Sequence, residues 1–161
     1  MRKLFLSAVA LGAILSGCNA PTNEGTVVRY AKEAKWEDVR DDLKIAIANK
    51  GLRIEYTSHI HNMLERTKKD VGGTKDIFAN AETFVFCSAV VSRHTMEADP
   101  NNIAFCPYAM AVYTTKDDPK TVNVSFRRPV RTNGSAAAKS SLKEVETLLD
   151  GLAKEALGIS N

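Results

Sequence analysis

Cys87 and Cys106 are the two thiols of the central part of the chain, one at the end of an apolar strand and one in the loop before the next strand. Two thiols so placed can pair as a disulfide, sit apart as small buried hydrophobes, or serve metal or redox chemistry, and spacing alone does not fix pairing. In the chain-entropy picture, closing a loop of that size stabilises a fold by roughly 3 kcal/mol. The histidines lie near them in sequence. His59 and His61 alternate, so an extended segment would point both to one side with Met63 in register, and His94 with Met96 repeats the spacing. Imidazole, thioether and thiolate together suit copper or haem iron. A helix over residues 60–71 would separate His61 from Met63, leaving surface histidines and core methionines. No CxxC or HExxH spacing is present. Arg127, Arg128 and Arg131 surround Pro129. Guanidinium forks of this kind hold an anionic headgroup or carboxylate bidentately, or they form a solvated strand end.

The redox surroundings of these groups follow from the first residues. Arg2 and Lys3 precede an apolar run, Leu4 to Leu15, that is too short for the roughly 20 residues of a membrane-spanning helix and has the form of an export signal. It ends in Leu15, Ser16, Gly17 and Cys18, which resembles the lipobox of bacterial lipoproteins. The resemblance implies cleavage after Gly17 and acylation of Cys18. Several acyl chains on one residue hold to a bilayer far more firmly than a single marginal one. Asn19 stands where an inner-membrane retention signal would usually have Asp, so the resemblance implies an outer-membrane anchor facing the periplasm. Thiols there are exposed to oxidation.

Without Arg2 and Lys3 the chain carries 20 basic against 19 acidic residues, so a net charge of +1 replaces the +3 of the full sequence. Nucleic-acid binding has no electrostatic support at that balance. A content of 44% hydrophobic and 25% charged residues is that of a globular domain rather than a disordered chain or a polytopic membrane protein. Neither a P-loop around Gly72 and Gly73 nor a GxSxG nucleophile motif is present, and hydrolase chemistry has no positive signal. Catalysis is not expected.

Three segments follow: a signal peptide over 1–17, a lipidated tether over 18–25, and one domain over 26–161. Thr26 to Lys32 reads as a strand. Trp36, Val39, Leu43 and Ile47 form one helical stripe that stops at Gly51. Leu52, Ile54 and Tyr56 alternate as in a strand, and residues 60–71 read as a helix. Thr83 to Cys87 is a short strand, 88–97 a helix or turn, and Ala109 to Thr115 and Thr121 to Arg127 are strands. Residues 129–139 read as a linker. The closing helix is expected to start at Ser141, with Glu144 in capping-box spacing, and carries Leu142, Val145, Leu149, Leu152 and Ala156 on one face. The order predicts an α+β fold, an antiparallel sheet with two main helices packed on one face.

Phe86, Met96, Ala98, Pro100, Pro107, Val112, Tyr113, Val124 and Phe126 occupy the places of a pattern found in the bacterial family known only as domain of unknown function 302, which this chain resembles over residues 26–128. The resemblance implies a TATA-box-binding-protein-like fold of strand, helix, four strands and helix, often paired as a homodimer. The chain departs from that pattern in one place. Where many members carry a Gly-Asn-Pro turn after the phenylalanine and a leucine before the later proline, it has Cys87, Ser88, Ala89 and Cys106.

The expected function is a lipid-anchored envelope domain that binds a small ligand or a partner protein, with no cofactor required. The alternatives are a periplasmic redox or copper- or haem-binding lipoprotein using His59, His61, His94 and Met96, and a structural envelope protein that joins a complex through an exposed face.

Overall fold

The computed structural model describes residues 22–160, so the signal segment and Cys18 lie outside the described residues. A six-stranded antiparallel sheet runs in the order β1-β2-β6-β5-β4-β3. Its strands are β1 (Thr22–Glu24), β2 (Val27–Glu33), β3 (Arg53–Ser58), β4 (Phe78–Cys87), β5 (Tyr108–Thr115) and β6 (Thr121–Arg127). Four helices connect or close them: α1 (Trp36–Asn49), α2 (Ile60–Thr67), α3 (Ala89–Ala98) and α4 (Ala136–Leu157), with a 3-10 turn over Pro100–Phe105. The fold is α+β. Among the described residues no helix is long and apolar enough to cross a membrane.

One face of the sheet is buried because every second residue of its strands is large and apolar. Tyr108, Met110 and Val112 of β5 alternate with the exposed Ala109 and half-exposed Ala111, and Phe84 and Phe86 of β4 are sealed from solvent. Against this face lie Val39, Leu43 and Ile47 of α1 and Val145, Leu149, Leu152 and Ala156 of α4, the two stripes expected from helical spacing. The α1 stripe stops where Gly51, at φ 70°, lets Leu52 N–H reach back to Ile47 O at 3.2 Å.

Two boundaries differ from the sequence expectation. Helix α4 starts at Ala136, not Ser141: Ser135 accepts from Ala138 N–H at 3.1 Å, and three successive alanines carry the first turn. Ser141 is buried inside the helix and donates to Ala138 O at 2.9 Å. The end of the expected tether is also structured. Thr22–Glu24 pairs with β2 across a tight turn whose Gly25, at φ 63°, takes the position where a type II′ hairpin needs glycine.

The α4–sheet seam is tied by polar groups. The Tyr30 hydroxyl donates to Asp150, which Lys154 Nζ also meets at 2.9 Å. Burial pushes the Asp150 carboxyl up, but the Tyr30 hydroxyl and the Lys154 ammonium outweigh it and hold the group below the ordinary carboxylate value. A depressed folded-state value means this stabilisation is complete above the ordinary carboxylate pKa and is lost as pH falls through the folded one. Tyr30→Phe is therefore expected to cost about 1–2 kcal/mol at neutral pH. Acid unfolding of the variant followed by circular dichroism should show a smaller loss of stability between neutral pH and the carboxylate range than the wild type shows.

Candidate functional site

Pairing between β5 and β6 runs from Tyr113↔Asn123 only as far as Met110↔Phe126. Beyond that point Ala109 and Arg127 part, and a cleft of about 460 Å³ opens between the two strands. Phe105, Pro107, Ala109 and Ala111 line it together with Val145 and Leu149 of α4. Ala109 and Ala111, on the face of β5 opposite the core, bring only methyl groups to the lining. Arg127 is the only charged residue of this wall among the described residues, and its side chain is exposed. The volume falls within the range of small-molecule sites, and the lining is mostly apolar, with Thr83, Ser125 and the cation Arg127 among its polar groups.

The same loop brings the two thiols together. Phe86 and Tyr108 are paired across β4 and β5, so the residues just past them meet, and the sulfurs of Cys87 and Cys106 are 3.1 Å apart. Helix α3 starts beside them, capped by Ser88, whose side chain accepts from Val91 N–H at 3.3 Å. One turn on, Ser92 Oγ lies 3.6 Å from Cys106 Sγ and 3.0 Å from the Tyr108 hydroxyl. Burial, then the hydrogen bond with Cys106, pushes the Cys87 thiol up to about 11. Burial also raises the Tyr108 phenol, against the opposing Ser92 hydrogen bond. The 88–105 excursion, whose Ala104 and Phe105 line the cleft, is fastened to the body by polar contacts. Asn102, buried, donates to Thr95 O at 3.0 Å and accepts from Arg131 at 2.9 Å.

The family model described as domain of unknown function DUF302 matches residues 28–156. The chain belongs to the DUF302 family. Among solved structures, the uncharacterized conserved protein DUF302 from Bacillus stearothermophilus is similar over 82% of this chain and 98% of its own, with a TM-score of 0.68 and 12% sequence identity. At that identity the likeness concerns the fold. No curated protein matches the chain.

In this DUF302 domain the three arginines do not converge on one anion. Arg127 and Arg128 alternate in direction along the chain. Arg128 Nε donates to Glu146 at 2.8 Å and its Nη1 to Gly25 O at 3.0 Å, while Arg131 Nη1 meets Asp99 at 2.5 Å. Two of the three charges are thus already answered by carboxylates, and only Arg127 faces the cleft.

The expected metal set does not assemble either. His94 and Met96 lie on α3, where a two-residue step turns side chains to different sides rather than to the same one. His94 Nδ1 is 3.5 Å from Glu144 of α4, whereas His59, just ahead of α2, has its Nδ1 3.1 Å from Glu82 of β4. His61 Nδ1 is buried without a hydrogen-bond partner in the protein. Among the described residues no group of three or more His, Cys, Asp or Glu is arranged to hold a metal ion. His59 precedes α2 and His61 lies in its first turn, where the two line one small pocket with Glu82, whereas His94 and Met96 both lie within α3.

Sequence reasoning missed Ser92 and Tyr108, which no motif marks. It also missed the cleft, although the Ala109-x-Ala111 alternation was its visible signal.

Proposed function

We propose that this chain is a lipid-anchored envelope domain whose β5–β6 cleft binds a small molecule with an apolar body and an anionic end. The cleft carries the reading: a mostly apolar, half-open cleft with the single cation Arg127 on its wall favours an amphipathic anion. The leader and Leu15-Ser16-Gly17-Cys18 support the anchor, with the bilayer as partner through acylated Cys18. Only three residues separate Cys18 from β1, so a fully extended link of ~3.6 Å per residue would hold the domain against the membrane surface. Cys87 and Cys106 would close as a disulfide in that compartment.

Native mass spectrometry of the chain extracted in detergent from the membrane fraction tests both parts together. The expected spectrum shows a polypeptide starting at Cys18 with acyl mass attached, plus a small molecule that dissociates at higher collision energy and is missing from Ala111→Phe, which fills the cleft. An unacylated chain defeats the anchor. A ligand held equally by Ala111→Phe defeats the cleft.

A further inference from the structure

We propose that Cys87 and Cys106 are a thiol–disulfide exchange site, with Cys106 the sulfur that first engages a partner disulfide and Ser92 its positioning residue. This goes beyond the ligand-cleft reading and does not rest on it.

The two sulfurs at 3.1 Å need approach each other by only about 1 Å to reach the length of a disulfide bond, and they sit on separate segments, the end of β4 and the loop before β5. Both residues are half-buried rather than sealed in the core. Their surroundings differ. Cys106 has a hydroxyl chain directed at it: the Tyr108 phenol can donate to Ser92 Oγ, and Ser92 can then donate its proton toward Cys106 Sγ. A hydroxyl donor stabilises a developing thiolate. Cys87 instead has the Glu55 carboxylate of β3 in its neighbourhood, itself held by Arg53 at 2.8 Å, and the backbone N–H of Tyr108 as its donor. Burial keeps its thiol protonated. That asymmetry suits two-step exchange, in which one sulfur attacks and the other waits as a thiol.

The step balances without a further oxidant. Cys106 thiolate attacks one sulfur of a disulfide R–S–S–R′, forming a Cys106–S–S–R bond and releasing R′–S⁻, which takes up the proton that Cys106 gave. Cys87 then loses its proton, attacks Cys106 Sγ and expels R–S⁻, which is protonated in turn. The Cys87–Cys106 pair is oxidised by two electrons, and the partner disulfide is reduced to two thiols. The co-reactant is any accessible disulfide of a peptide, protein or small thiol.

The test uses the full chain carrying Cys18→Ser, so that Cys87 and Cys106 are its only thiols whatever becomes of the anchor. The reduced protein is mixed with glutathione disulfide, quenched in acid and weighed intact. Cys87→Ser on this background is expected to accumulate a glutathione adduct at Cys106 about tenfold faster than Cys106→Ser accumulates one at Cys87. With both thiols present the adduct should be transient and the end product an internal disulfide. Ser92→Ala on the Cys87→Ser background should slow adduct formation several-fold, and Ser92→Thr, which keeps the hydroxyl, should restore it. If Ser92→Ala fails to fold by circular dichroism, Tyr108→Phe, which removes the phenol that holds Ser92 while keeping the ring, should slow adduct formation in the same direction. Equal rates for the two single-thiol variants, a faster Cys87, indifference to loss of the hydroxyls, or no internal disulfide would each overturn the proposal.

Discussion

Phe86→Ala is expected to lower the unfolding free energy by about 3–5 kcal/mol. Phe86 is sealed from solvent in β4, paired with Ile54 of β3 on one side and Tyr108 of β5 on the other. Its ring meets Tyr108 edge-to-face, with centroids 6.1 Å apart and planes at 76°. Truncation removes the buried surface, leaves a cavity under the sheet, and forfeits an aromatic contact worth about 0.5–1.5 kcal/mol beyond its area. The truncation is also expected to disturb the proposed exchange pair, because Cys87 is the next residue and Tyr108 holds Ser92. Urea unfolding of the wild type and variant measures it. Val90→Ala, on the exposed side of α3, serves as control and should change stability by less than about 0.5 kcal/mol. A loss for Phe86→Ala no larger than that control would mean that β4 does not pack as described.

Reduction of the proposed Cys87–Cys106 disulfide is expected to cost about 3 kcal/mol, because such a bond would close the excursion carrying α3 and the 3-10 turn and so remove freedom from the unfolded chain. For a domain of this size the melting temperature should fall by about 6–12 °C in dithiothreitol. The double variant Cys87→Ser, Cys106→Ser should melt near the reduced wild type and ignore the reductant. Calorimetry of protein purified from an oxidising compartment decides it. Identical melting with and without reductant would mean that the sulfurs, though adjacent, are not bonded there. That outcome would leave exchange to be judged by its own kinetics.

The sheet and its two main helices were legible because their residues obey a single period. Val39, Leu43 and Ile47 in α1 and Val145, Leu149 and Leu152 in α4 recur at helical spacing, and β5 and β6 alternate with a period of two. Boundaries set by one hydrogen bond were harder. Ser135 and Ser141 both suit a helix start, and only the Ser135–Ala138 contact decides between them. The first residues of β4 were missed because Phe78-Ala-Asn-Ala-Glu82 breaks alternation, the register shifting between Phe78 and Asn80. At the candidate site, the meeting of Cys87 with Cys106 could be suspected from strand order, since both flank neighbouring strands. The histidine and arginine groupings stayed open in the sequence because direction depends on local geometry: helix at α3 and alternation at Arg127–Arg128 send sequence neighbours apart. Pairing of Arg128 with Glu146 and of Arg131 with Asp99 depends on contacts between distant segments that no local spacing encodes.

Fluorescence titration with 8-anilinonaphthalene-1-sulfonate, an apolar ring system bearing one anion, tests the cleft most directly. The wild-type chain should show one saturable site. Ala111→Phe should abolish it, and Arg127→Ala should weaken it about tenfold by removing the charge at the mouth. Saturable binding that neither substitution changes, with both variants melting like the wild type, would contradict the assignment of the β5–β6 cleft as the ligand site.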